Sequence, residues 1–221
     1  MTFVLYQPDN YVDSQVTLTP YGFKFSKSAS NKAGLHDIHW MRVHYNADDR
    51  IIVFEPMAGD DKKSDVLKLG TSKRGDKSLV TKGLISRENW IRAISKLDIK
   101  ERRFELRQRH VNPKGWFIQL MPAFEESIKP SDINQLDDHK GIYRYVGGDD
   151  GTEIIYIGKG IIKDRFREEH RKDWSIAKIE YSIINDDQKA YEWEAYWINR
   201  YKEEHNGRRP RYNKVDGVQT S

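Results

Sequence analysis

The sequence predicts an α+β protein in two parts: a β-rich accessory domain over residues 1–124 and, over residues 139–221, a three-stranded antiparallel sheet flanked by helices. Three observations lead there. Up to about residue 124 the chain alternates strand-like runs with turn residues. Residues 125–140, "EESIKPSDINQLDDHK", are polar with a single Pro, which predicts a linker over 125–138. Beyond it the order is hairpin, helix, strand, helix, tail.

The amino-terminal elements follow in turn. "FVLYQ" and "TLTPYGFKFS" read as strands, and "HWMRVHYNADDRIIVFEPM" reads as a hairpin turning at Asn46-Ala-Asp-Asp. Ser86 precedes "RENWIRAISKL", in which Trp90, Ile91, Ile94 and Leu97 recur at helical spacing, so Ser86 is the predicted N-cap. "RRFELRQRHVNPKGWFIQLMP" then forms a second hairpin around Asn112-Pro-Lys-Gly. In the carboxy-terminal part, residues 141–160, "GIYRYVGGDDGTEIIYIGKG", pair two apolar runs around a Gly- and Asp-rich turn. A helix over 161–172, a strand over 176–184 and a long helix over 187–205 complete it, the last closed by Asn206-Gly207.

Composition narrows the function classes. Although 33% of the residues are charged and only 37% are hydrophobic, six Trp, twelve Tyr and eight Phe supply apolar surface for two cores. No apolar run reaches membrane-spanning length, and the first residues lack the pattern of a secretion signal, so the expectation is a soluble cytoplasmic protein. The absence of cysteine removes disulfides, thiolate metal sites and cysteine nucleophiles. Any metal must therefore bind oxygen or imidazole. His36, His39 and His44 cluster on a strand-like stretch but lack a fourth ligand. A net charge of +4 is compatible with a polyanionic partner without requiring one.

Two helices carry charges at odds with their pattern. At about 100° per residue, Ala190, Trp193, Trp197, Ile198 and Tyr201 form one stripe on the last helix, and Glu194 falls within it. A carboxylate among indoles must be paired, protonated or bound to a cation. On the preceding helix Ile162 and Phe166 mark the apolar side, Arg165 borders it, and Arg167 points away. Arg165 suits phosphate through its planar fork, although a solvated surface position is the commoner fate of an arginine in so charged a segment. Lys159 and Lys163 enrich the same corner. The basic runs "TSKRGDK" and "KERRFELRQRH" read either as contacts to a DNA backbone or as solvated strand faces, and the tail "NGRRPRYNK", with Arg208, Arg209 and Arg211, is the better candidate for phosphate contacts.

Taken together, Gly141-Ile142-Tyr143, Tyr156-Ile157-Gly158, "DRF", "EAYWI" and "RYN" resemble the GIY-YIG nuclease family, in the family's order, over roughly residues 139–217. The resemblance implies a metal-dependent DNA endonuclease with active residues Tyr143, Tyr156, Arg165, Glu194 and Asn213, and with Gly141 and Gly158 in structural roles. It implies Tyr143 as general base, Tyr156 as its positioner, one Mg²⁺ or Mn²⁺ on Glu194, and Arg165 stabilising the transition state. Asn213 would tie the tail to the hairpin or bind phosphate. A phenol ionises near pH 10, so the base role calls for cations such as Lys159 and Arg165 to depress Tyr143, or for an acidified water. His170 lies five residues after Arg165 rather than one helical turn, which argues against a catalytic role. Double-stranded DNA is the implied partner, with the amino-terminal domain selecting DNA or a protein. The competing expectation is a nucleic-acid-binding protein that keeps the nuclease fold only as a clamp.

Overall fold

The computed structural model describes residues 14–57 and 65–215, so the strand expected in "FVLYQ" lies outside the described residues. The chain divides into two compact units, residues 1–120 and 121–221. Together they are α+β, with mostly strands and few helices.

In the first unit the strands are β1 (Gln15–Thr19), β2 (Gly22–Phe25), β3 (Trp40–Asn46), β4 (Ile51–Met57), β5 (Leu67–Thr71), β6 (Lys77–Val80), β7 (Arg103–Glu105), β8 (Arg107–Arg109) and β9 (Gly115–Gln119). They form one antiparallel sheet in the order β7-β1-β2-β6-β5-β3-β4-β9-β8. The two edge strands, β7 and β8, are separated in sequence by Leu106 alone, which is fully buried. Only a sheet curled into a nearly closed barrel can bring its edges that close. Both expected hairpins form, β3 with β4 and β8 with β9. Val16 and Leu18 alternate inward on β1, and Phe23, Phe25 and Phe54 meet edge to face in the core.

Of the helices here, α1 (Lys27–Lys32) is capped by Ser26, whose hydroxyl accepts the Ala29 N–H at 3.1 Å. Ser86 is not an N-cap. It lies inside α2 (Lys82–Arg87), and the break falls at Glu88, before α3 (Asn89–Ile94). Glu88 is held extended while its carboxylate accepts the Tyr45 hydroxyl of β3 at 2.8 Å, a tertiary contact that overrides the local cap signal. Trp90, Ile91 and Ile94 are buried, as their spacing predicts.

The second unit contains β10 (Glu126–Ile128), a 3₁₀ turn (Pro130–Gln135), β11 (Lys140–Gly147), β12 (Glu153–Ile161), α4 (Ile162–Phe166), a 3₁₀ turn (Glu169–Arg171), β13 (Ile176–Ile183) and α5 (Asp187–Glu204). Its sheet has four strands rather than three, in the order β10-β13-β11-β12. The added strand comes from the segment read as a linker. Ser127 and Ile128 pair with Glu180 and Ile179, while Ile133 and Leu136 are buried in the core, so 125–138 belongs to this unit. Polar composition concealed three anchoring apolar residues, Ile128, Ile133 and Leu136, spaced through it.

The expected helix over 161–172 is also interrupted, ending at Phe166. In a continuing α-helix the Arg165 carbonyl would accept the N–H of residue 169. Here it accepts the Arg171 guanidinium at 2.7 Å instead, and the chain turns so that Arg171 enters the core. By contrast, α5 runs almost as predicted, capped by Asp186 accepting the Lys189 N–H at 2.9 Å and ended by Asn206 and Gly207 at positive φ.

Candidate active site around the outer strand

Strand alternation sorts the site onto two faces. Tyr143 lies opposite Gly158, and Tyr145 lies opposite Tyr156, so all three tyrosines project from one face of the β11–β12 hairpin. Their rings pack together, with Tyr145 stacked on Tyr156 at 5.6 Å and tilted against Tyr143 at 5.1 Å. Ile133, Leu136, Ile162, Phe166 and Trp174 cover that face. Lys159 faces the other way, and its ammonium sits 4.1 Å above the Tyr191 ring of α5. Tyr156 and Lys159 both belong to β12, which is an edge strand of the sheet.

Two clefts border this strand. One, of about 550 Å³, includes Lys140, Lys159, Arg165 and Glu168 in its lining. The other, of about 280 Å³, includes Tyr156, His170, Trp174, Glu194 and Asn213. Tyr191 lines both, and Tyr143 lines neither.

Glu194 makes no hydrogen bond or ion pair among the described residues. Burial raises its carboxyl above the usual range, against the pull of Lys159 and Arg165. Pairing, the first of the three resolutions open to a carboxylate at this position, is thus not used. The donors available for a cation are oxygens, and this half-desolvated, unbonded carboxylate suits a hard ion that keeps most of its waters. No group of three acidic or histidine side chains occurs among the described residues, so Glu194 would act as a single protein ligand.

Asn213 ties the tail to the hairpin. Its amide accepts the Ile157 N–H at 2.9 Å and donates to the Ile157 carbonyl at 2.8 Å, while Tyr212 N–H bonds the Ile155 carbonyl at 3.0 Å. The tail therefore lies along the free edge of β12, the first of the two uses expected for this amide. Trp174 stacks on Tyr212 at 4.0 Å with rings 4° from parallel, bracing the same tail.

Arg165 is half exposed and paired with Glu168 at 2.6 Å. Lys163 is held by Asp138 at 2.7 Å, which leaves it less free for phosphate than expected. In the tail, Arg208 is exposed, Arg209 donates to the Lys214 carbonyl at 3.0 Å, and Arg211 lies over the Tyr212 ring. Arg167 bonds Asn134. His170, placed away from the site by helical angle, lines the Glu194 cleft, because the helix on which that angle was measured stops at Phe166.

The glycines of the two motifs have steric causes. A Cβ on Gly158 would stand 2.7 Å from the Tyr143 hydroxyl and 2.6 Å from the Tyr156 ring. At Gly141 it would meet the Ser182 carbonyl oxygen of β13 at 2.0 Å.

Tyr143 is fully buried, and burial pushes its hydroxyl well above the usual phenol range. The expectation that Lys159 and Arg165 depress it is not met. The cation bonded to it is Arg171, at 3.1 Å, whose pull does not outweigh desolvation.

Sequence reasoning missed Arg171 and Tyr145. Arg171 is 5% exposed and bonds the hydroxyls of Tyr143, Tyr145 and Tyr156. Its sequence neighbourhood, "REEHRK", offered no apolar periodicity to mark it as buried. Tyr145 did carry a signal, since it lies two residues from Tyr143 on the same strand face.

No family model, curated protein or solved structure matches this chain.

Proposed function

We propose that the second unit hydrolyses DNA phosphodiester bonds as a metal-dependent endonuclease. The observation that carries this reading is Glu194, a half-buried carboxylate without a bonded partner, in a cleft shared with Tyr156 and within the field of Lys159 and Arg165. Such a group is unfavourable for stability, and cation binding gives it a use.

Glu194 would hold one divalent cation, Mg²⁺ or Mn²⁺, which when bound supplies charge neutralisation at phosphate and acidifies water. Lys159 and Arg165 attract the phosphate, and Arg165 exchanges Glu168 for a phosphate oxygen as charge builds on it. Tyr156 orients the reacting groups from the cleft wall. The attacking water would give its proton to the Tyr143 phenolate, which is buried and lines neither cleft and is therefore reached only when the tyrosine cluster opens toward the cleft that Tyr156 lines, as the new P–O bond forms and the P–O bond to the leaving oxygen breaks. Because Tyr143 is raised, its phenolate is scarce at neutral pH, so the rate should climb with pH across the ordinary range. The amino-terminal barrel is proposed to select the substrate, by binding DNA or a protein partner.

Incubation with supercoiled plasmid and Mg²⁺ tests the reading. Nicking by the wild type and none by Glu194→Ala is the expected result. Plasmid binding without nicking by the wild type would favour the non-catalytic clamp.

A further inference from the structure

We infer that Arg171 is a positioning residue for the reaction, fixing the three tyrosine hydroxyls as one acceptor cluster and joining that cluster to Arg165. The inference rests on the nuclease reading for its catalytic meaning and on geometry for its existence.

One guanidinium nitrogen of Arg171, Nη1, donates to Tyr143 at 3.1 Å, to Tyr145 at 2.9 Å and to the Arg165 carbonyl at 2.7 Å. The other, Nη2, meets Tyr156 at 3.4 Å and the Glu168 carboxylate at 2.9 Å. Its charge also lies over the Tyr156 ring, 4.8 Å from the centroid. An arginine placed only to satisfy a buried carboxylate would need one partner. This one spends its planar fork on three phenol oxygens from two strands, which is where a rigid, permanently charged donor is most useful.

Two consequences follow. Nη1 has two hydrogens for its three acceptors, so at least one of these bonds is shared, and the phenol oxygens are held together around the guanidinium. Ionisation of any of the three creates an anion already beside a cation, so Arg171 works against the burial that keeps these groups neutral. Tyr145, pushed up to about 12 by burial, feels the same opposing pull. The ionisable groups facing the cluster are the tyrosines themselves, Arg165 from α4, and Glu168 and His170 from the turn that carries Arg171.

Glu168 makes the arrangement a bridge. Its carboxylate bonds Arg165 at 2.6 Å and Arg171 at 2.9 Å, which holds it below the usual carboxylate range despite burial. When phosphate takes Arg165, Glu168 is left to Arg171 alone. Occupation of the phosphate site is thereby communicated to the residue that holds the proton acceptor.

The test compares wild type with Arg171→Gln and Arg171→Lys, first by circular dichroism to show folding, then by the pH dependence of plasmid nicking. The glutamine variant should nick on the order of 10²-fold more slowly, with the rising limb displaced upward by about one pH unit. Lysine restores the charge and should return the limb toward its wild-type position, without the full rate, because an ammonium lacks the fork. In a Tyr143→Phe background the glutamine change should leave the pH profile unaltered. Both variants folding with a lower Tm and an unshifted profile would make Arg171 merely structural and overturn the inference. Ultraviolet titration of tyrosinate separates this from the fate of the nuclease reading. If the wild type never nicks DNA, tyrosines ionising at higher pH in Arg171→Gln still support the cluster, and an unchanged titration refutes it. Should the glutamine variant fail to fold, the lysine variant decides by the same titration and by a rate that must fall.

Discussion

Each unit places three aromatic rings on one face of a sheet, and the chemistry of the two clusters is opposite. Phe23, Phe25 and Phe54 meet edge to face at 5.1 and 4.9 Å and require nothing but exclusion of water. Tyr143, Tyr145 and Tyr156 occupy an equivalent position with three hydroxyls that must each find a partner. Satisfying them requires a buried arginine, which in turn requires an acid and an interrupted helix. Phenylalanines would fill the same space with none of these demands, so the contrast teaches where the fold carries polar groups that stability alone does not ask for.

Substitutions break or sharpen that contrast. The largest loss of stability is expected from Phe54→Ala, which empties a site packed against two rings and should cost about 3–5 kcal/mol in urea unfolding of the first unit. Tyr143→Phe should leave the fold intact and lower DNA cleavage by about 10²–10⁴-fold, with the residual rate no longer rising with pH. Tyr156→Phe should reduce the rate but retain the rise. The reverse pattern would move the proton-accepting role to Tyr156. Tyr145→Phe makes the two clusters more alike, and at about 1 kcal/mol it should cost far less than Phe54→Ala, because Arg171 keeps its other acceptors.

Glu194→Gln is the smallest change and the one expected to stabilise. Folding raises this carboxyl, so its contribution is favourable below the unfolded pKa and is lost as pH rises through the folded one. At neutral pH without divalent cation the anion is a liability that glutamine removes, and the Tm of the second unit should rise. An unchanged or lower Tm would mean that the carboxylate already has a partner.

What could be read from sequence follows the range of the interactions involved. Hairpins and the long helix are local, set by alternation, turn residues and a cap, and β3–β4, β8–β9 and α5 all form where they were expected. Glu194 stood out because helical spacing alone places it beside tryptophans. The failures share a cause. Glu88 breaks a helix because of Tyr45, Arg171 ends another because of Arg165 and the tyrosines, and β10 exists because Ile128 reaches Ile179. In each case a contact between residues distant in sequence, or across a turn, overrode a local pattern. Asn213 shows the same limit at the site itself: the residue was found, but its use as a false strand partner for Ile157 depends on the tail returning to β12.

Whether Glu194 is kept bare in order to hold a cation can be asked without any substrate. Electron paramagnetic resonance during titration with Mn²⁺ should show one bound ion per chain in the wild type and none in Glu194→Gln. Equal binding by the two proteins, or binding by neither, would contradict the proposed role of that carboxylate.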